Sequence, residues 1–231
     1  EIPLRLVGSE MCIRDSIGFD IDIAKEVCSR LGIELKLQPI DWNNKQSELE
    51  NGNVDCLWNG FSKTPERDEQ FNLSIPYMKN EQIILVKTDS DYQTLEDLAG
   101  KTIGVQADSS AESALEAEEN KEFKDSLGEI VKIEDYAMAV LEIQNGTIDA
   151  ISIDEVVARF YLNNDPDAYR ILSDSDGNAL SLATEDYVIG FRKSDNALKE
   201  KVEEALREMS SDGTMKTISE EWFGEDVTTV E

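Results

Sequence analysis

Leu49-Glu50-Asn51-Gly52-Asn53-Val54-Asp55 and Ile143-Gln144-Asn145-Gly146-Thr147-Ile148-Asp149 are two copies of one pattern: an aliphatic residue near a helix end, an Asn-Gly turn, a second aliphatic position and an aspartate ahead of an apolar run. Glycine in that place suits the left-handed conformation that closes a helix, and the short apolar run behind it reads as a strand. A chain that makes this passage twice is constrained to an α/β fold with two halves built on one plan. Each strand then runs into a polar loop, residues 59–67 in one half and Asp154-Glu155 in the other. Ligands of open α/β sheets sit outside the carboxyl ends of strands, so both loops are candidates for one shared cleft.

The rest of the chain fits that frame. Asp20 is a plausible cap for a helix whose buried face carries Ile23, Val27 and Leu31 before Gly32 ends it. Ile33, Leu35 and Leu37 alternate as a strand, a short helix carries Leu49, and residues 54–57 form a buried strand. Residues 82–86 are a continuous apolar run of the kind that suits a strand covered on both faces. Polar residues 87–93 read as a crossing between lobes. Thr94 and Asp97 then resemble a capping box for a helix closed by Gly100. A strand over 101–105 leads into Ala107-Asp108-Ser109-Ser110-Ala111, a small polar turn that opens an acidic helix around 114–119. Further on, the pattern predicts a strand at 130–133, a helix at 136–145 ended by Gly146, and a strand at 148–153 that finishes at Asp154. After a polar loop at 173–178 comes a second crossing strand at 187–192, then an amphipathic helix on Leu198, Val202, Leu206 and Met209, and a last helix closing on Trp222-Phe223-Gly224. In residues 1–16, Pro3 interrupts an apolar run and residues 11–16 follow neither period, so no strand is expected there.

Composition removes several function classes. A formal charge of -28 over 231 residues repels nucleic-acid phosphates and anionic membrane surfaces. Histidine is absent, and Cys12, Cys28 and Cys56 are widely spaced, so neither a zinc centre nor a histidine-based triad can be assembled; no cofactor or metal is expected. The sequence leaves a Cys28–Cys56 bridge open, and free buried thiols are the favoured reading. No signal peptide is visible, which is consistent with a cytoplasmic protein or a mature fragment.

Asn59-Gly60-Phe61-Ser62-Lys63-Thr64-Pro65-Glu66-Arg67 concentrates the chemistry. Thr64 and Pro65 read as the N-cap and first residue of a helix, which places Arg67 in the first turn, where a cation opposes the helix dipole. Such an arginine calls for an anion: a ligand carboxylate, which its planar fork suits, or simply a surface ion pair with Glu66, Glu69 or a neighbouring helix. Asp154 reads either as a ligand-binding carboxylate or as a cap for the segment that follows. Ser109 and Ser110 read as helix capping, which leaves amides that bind anions.

GFDIDIAKEVCSRLG, NGNVDCLWNGFSKTPER, GKTIGVQADSSAE, NGTIDAISIDE and SDGTMKTISEEWFG, in that order from Gly18 to about Gly224, together resemble the amino-acid-binding proteins of bacterial ABC importers, the family three extracellular solute-binding proteins. The resemblance implies an α/β, two-lobed periplasmic-binding-protein-like fold, each lobe an α/β sheet sandwich, with two crossover strands as hinge. Lobe one would be residues 1–87 with 188–231, and lobe two residues 88–187. It implies hinge closure on a free, polar L-amino acid in the interlobe cleft and delivery to the importer's membrane permease. The protein would be a monomer outside the cytoplasm, in the periplasm or at the cell surface as a lipoprotein. The same resemblance assigns the ligand's α-carboxylate to Arg67, Ser62 and the amides of Ser109 and Ser110. It assigns the α-ammonium to Asp154 and a carbonyl near Asn59-Gly60, and apolar packing on the ligand to Trp42 and Phe61. Members of the family open on a strand and a loop with an aromatic that covers the ligand; residues 1–16 are read as lacking that strand. Asp108 stands where many members have glycine, and its carboxylate is expected to turn away as a cap. A cyclohexadienyl or arogenate dehydratase on the same scaffold is the competing enzymatic reading, with Glu112, Glu155 or Glu185 as general acid. A receptor sensor domain is the third.

Overall fold

The computed structural model describes residues 4–7, 18–224 and 226–230. These fall into two compact units, one formed by residues 1–79 and 186–231 and the other by residues 80–185.

The first unit opens on a strand, β1 (Leu4–Val7), where the sequence pattern predicts none. Helix α1 (Phe19–Leu31) follows, with Ile23, Ala24 and Val27 fully buried and Gly32 closing it in the left-handed conformation at φ 63°. Strand β2 (Leu35–Gln38) pairs in parallel with β1 in the register Leu4↔Leu35 to Val7↔Gln38. Four residues bounded by Pro3 are too few to show a period, and β1 is defined by the two strands it lies between, which a reading of local pattern cannot see. The loop that carries the ligand-covering aromatic in the family falls outside the described residues, and residues 1–16 contain no aromatic side chain. After helix α2 (Lys45–Glu50), strand β3 (Cys56–Ser62) pairs with β1 on its other side. Strand β3 is longer than expected and runs through Asn59-Gly60-Phe61-Ser62, so the presumed loop begins only at Lys63. Helix α3 (Pro65–Gln70) and the short strand β4 (Asn72–Leu73) complete this segment.

Strand β5 (Met78–Lys87) carries the chain from the first unit into the second. Residues Glu96–Leu98 form one 3-10 turn where a helix was expected, and Asp97 Oδ2 accepts from the amides of Gln93 (2.8 Å) and Thr94 (2.9 Å), as in a capping box. Strand β6 (Thr102–Gln106), helix α4 (Ser110–Glu116), helix α5 (Lys121–Ser126), strand β7 (Glu129–Ile133), helix α6 (Tyr136–Asn145), strand β8 (Ala150–Asp154), helix α7 (Glu155–Asn164) and strand β9 (Tyr169–Ile171) follow. The sheet of this unit has the order β5-β8-β6-β7, with β9 on the other side of β5. Strand β5 shows why residues 82–86 are apolar without interruption. Ile83 and Leu85 join one core with α6 and Ile151, whereas Ile84 and Val86 join another with α4 and Ile103.

Strand β10 (Ser181–Phe191) returns the chain to the first unit, where its far end pairs antiparallel with β3 (Tyr187↔Ser62, Val188↔Phe61). Helices α8 (Asn196–Ser211) and α9 (Thr214–Phe223) then pack beside α1. The repeated motif has a common mechanical sense. Gly52 and Gly146 both take φ 74°, and the following amide bonds a helix carbonyl in each copy, Asn53 to Glu48 and Thr147 to Glu142 at 3.0 Å. The motif aspartates anchor the strands by different means: Asp149 accepts from the Thr102 amide (2.9 Å) and the Tyr92 hydroxyl (2.7 Å), and Asp55 pairs with Arg192 (3.3 Å). Cys28 and Cys56 are free and buried, as expected, and burial pushes the Cys28 thiol up to about 11; Cys12 lies outside the described residues.

Ile151 is fully buried at the centre of the second unit, paired with Leu85 on one side and Gly104 on the other. Ile151→Ala is expected to destabilise the chain by about 2 to 5 kcal/mol in urea unfolding, from lost burial and the cavity left behind.

Candidate functional site

In the first unit the candidate residues cluster at the end of β3. Thr64 Oγ1 accepts from the Arg67 amide at 3.2 Å and Pro65 is the first helical residue, so the predicted cap is present. That cap turns Arg67 back over the strand it follows. Its Nη1 donates to the Ser62 carbonyl at 2.8 Å, and its guanidinium carbon lies 4.4 Å from the centroid of the Phe61 ring. Only 8% of Arg67 is exposed, so the cation is held by a carbonyl dipole and an aromatic face in a dry setting. Ser62 is fully buried.

Phe61 is also fully buried, with Trp42 edge-on at 5.9 Å and Phe71 edge-on at 5.4 Å. Its ring packs against Arg67, Trp42 and Phe71. Trp42 is half-buried on a 3-10 turn capped by Asp41, with Lys45 Nζ 5.0 Å above its ring.

Gly60 has φ 71°, and a Cβ there would stand 3.0 Å from Tyr187 Cζ, so both backbone and space require glycine. Its amide donates to Asp20 Oδ2 at 2.7 Å, and the Tyr77 hydroxyl donates to Asp20 Oδ1 at 2.8 Å. Asp20 is thus not the cap of α1, a position that Gly18 occupies, but a clamp on β3. Asn59, beside it, has a buried Oδ1 with no partner among the described residues.

The second unit gathers the other set. Asp154 precedes α7 but makes no side-chain capping bond to it, so the capping reading fails. Instead its Oδ1 accepts from Asn80 Nδ2 and Gln82 Nε2, both at 2.8 Å, and its Oδ2 accepts from the Tyr136 hydroxyl at 3.0 Å. Asp154 is 7% exposed, and three neutral donors orient its carboxylate. Burial, then the charge of Asp154, pushes the Tyr136 hydroxyl well above its ordinary value, which keeps it a donor. Ser109 is the N-cap of α4, accepting from the Glu112 amide at 3.2 Å and donating to the Gln106 carbonyl at 2.7 Å. Ser110 Oγ lies 3.1 Å from Gln82 Nε2. Asp108 is not the cap; it is exposed in the left-handed region at φ 58°, a conformation glycine adopts more easily, and its amide donates to Glu112 at 2.7 Å.

Sequence reasoning missed Asn80, Gln82 and Tyr136 in this unit and Tyr77 and Tyr187 in the other. The alternation Asn80, Gln82, Ile84, Val86 along one strand face was a usable signal for the first two. The three tyrosines act on groups distant in sequence and leave no local trace.

Residues 13–225 match the profile of the bacterial extracellular solute-binding proteins, family 3. The chain is 33% identical over 211 residues to the arginine-binding extracellular protein ArtP of Bacillus subtilis, covering 90% of this chain and 78% of that one. It is 29% identical over 213 residues to the L-cystine-binding protein TcyJ of Escherichia coli, covering 91% and 76%. Among solved structures, a substrate-binding protein of an ABC uptake transporter from Streptococcus pneumoniae with bound histidine aligns with a TM-score of 0.87 and 35% identity over 98% of this chain and 94% of that one. The class is that of two-unit α/β solute receptors. The chain belongs to the bacterial extracellular solute-binding proteins, family 3.

Burial raises the Asp20 carboxyl from 3.8 to about 6, against the lowering effect of its Tyr77 and Gly60 bonds. A group whose folded value lies above its unfolded one contributes stability that is complete below about pH 4 and lost as pH rises through about 6. Unfolding free energies from urea titrations between pH 4 and 7 are expected to fall over that window, by on the order of 3 kcal/mol for this group alone. Asp20→Asn should flatten the slope.

Proposed function

We propose that this chain binds a free, polar L-amino acid outside the cytoplasm and delivers it to the membrane permease of an ABC importer. One observation carries the reading: Asp154 is buried and oriented by Asn80, Gln82 and Tyr136 instead of capping its own helix. A zwitterion leaving water needs both charges compensated, because either one buried unpaired costs several kcal/mol. In this reading Arg67, Ser62 and the amides of Ser109 and Ser110 take the α-carboxylate. Asp154 and a carbonyl at Asn59-Gly60 take the α-ammonium, and Trp42 packs on the side chain. Ligand binding favours the conformation that compensates both charges, and the permease reads that state. The relatives' ligands, arginine, cystine and histidine, are amino acids with polar or charged side chains and support the same class.

The chemistry of the acids favours binding without catalysis. Glu112 is paired with Lys132 and accepts from the Asp108 amide, and Glu155 is paired with Arg159 at 2.6 Å, so two of the three candidate general acids are engaged in ion pairs. Among the described residues, no helix is long and apolar enough to cross a membrane.

A thermal-shift screen of the free amino acids is expected to raise the melting temperature for a polar subset, since a ligand that binds only the folded state stabilises it. For the strongest of these, Arg67→Ala should weaken binding by about 2 to 5 kcal/mol in calorimetric titration. Unchanged affinity would remove Arg67 from the site, and turnover of prephenate or arogenate would overturn the non-enzymatic reading.

A further inference from the structure

Strands β5 and β8 pair as Gln82↔Asp154 and Ile84↔Ser152, so Asn80, Gln82, Ser152 and Asp154 share one sheet face. Along β5 that face turns from core to polar at Gln82: Ile84 and Val86 pack against α4, whereas Gln82 and Asn80 carry carboxamides although they are 0% and 3% exposed. A single atom, Gln82 Nε2, lies 2.8 Å from Asp154 Oδ1, 2.9 Å from Glu185 Oε2 and 3.1 Å from Ser110 Oγ. Three acceptors surround a nitrogen with two hydrogens. The carbonyl ends, Gln82 Oε1 and Asn80 Oδ1, are buried with no partner among the described residues. Reversing either amide would aim its oxygen at a carboxylate, so the carboxylates set the orientation and leave two acceptors unsatisfied. Each orphaned acceptor costs stability that the donors' bonds to Asp154, Glu185 and Ser110 only partly offset. Breaches of this kind are expected where function, not folding, selects the side chain.

We infer that Gln82 is a positioning residue for recognition of the ligand's amine. Its carboxamide fixes Asp154 against Glu185 from strand β10 and against Ser110, the first residue of α4, so that the ammonium meets an acceptor whose direction is already set. The inference rests on the amino-acid reading above. Asn80 supports Gln82 by donating to the same Asp154 oxygen (2.8 Å), and Tyr136 holds the other oxygen (3.0 Å). Asp154, Glu185 and, across Asp154, Tyr136 are the titratable groups around Gln82.

The test uses the full chain, the L-amino acid that gives the largest thermal shift, and its des-amino analogue, which differs only in lacking the α-amine. Calorimetric titration of Gln82→Met is expected to show at least a tenfold loss for the amino acid and under threefold for the analogue. A general packing defect would weaken both alike, and that result overturns the inference. Gln82→Glu supplies a second readout. Ionised at pH 8 it cannot donate and faces two carboxylates, whereas protonated at pH 5 it regains one O–H donor. Its affinity relative to the wild type should therefore rise about tenfold or more from pH 8 to pH 5, and a constant ratio overturns the inference even if Gln82→Met fails to fold. Binding of no amino acid by the wild type overturns the underlying reading instead.

Discussion

The second unit depends on a carboxylate held by neutral donors in a nearly dry place. Asp154 is 7% exposed, and the antiparallel register of β5 on β8 sets Gln82 directly beside it. A slip of one residue would turn Gln82 and Asn80 to the opposite face and bring Ile83 against Asp154. The apolar residues on both faces of β5 hold that register, so the two cores are what make the polar cluster possible. The polar cluster is held in place because the strand beneath it is buried on both sides.

The first unit solves the opposite problem, keeping a cation in place. The Thr64 cap starts α3, the helix start turns Arg67 back onto β3, and the Ser62 carbonyl with the Phe61 ring receives the guanidinium. Beneath them, Gly60 admits the Tyr187 ring and is tied to α1 through Asp20. Removing a buried charge from either unit leaves fixed dipoles aimed at nothing, which is why both substitutions and ligand changes should act through these two residues.

Features made by local chemistry were legible in the sequence. Helix α6 begins and ends where its cap Asp135 and Gly146 put it, and the Ser109 cap of α4 and the Thr64-Pro65 start of α3 stand as read. Features made by distant partners were not. Strand β1 exists because β2 and β3 flank it, and the use of Asp20 is set by Gly60 and Tyr77, 40 and 57 residues away, rather than by the helix it stands in. The Asp154 side chain was ambiguous because a helix does follow it; only the cross-strand neighbours Asn80 and Gln82 show which use the carboxylate has.

The central claim is that both charges of a free amino acid are recognised together. Calorimetric titration with the preferred amino acid, its N-acetyl derivative and its α-carboxamide tests this on the ligand, with the protein unchanged. The account predicts that each modification weakens binding by about a hundredfold or more, since each leaves a buried charge on the protein without its counterpart. Either derivative binding as tightly as the free amino acid would contradict it.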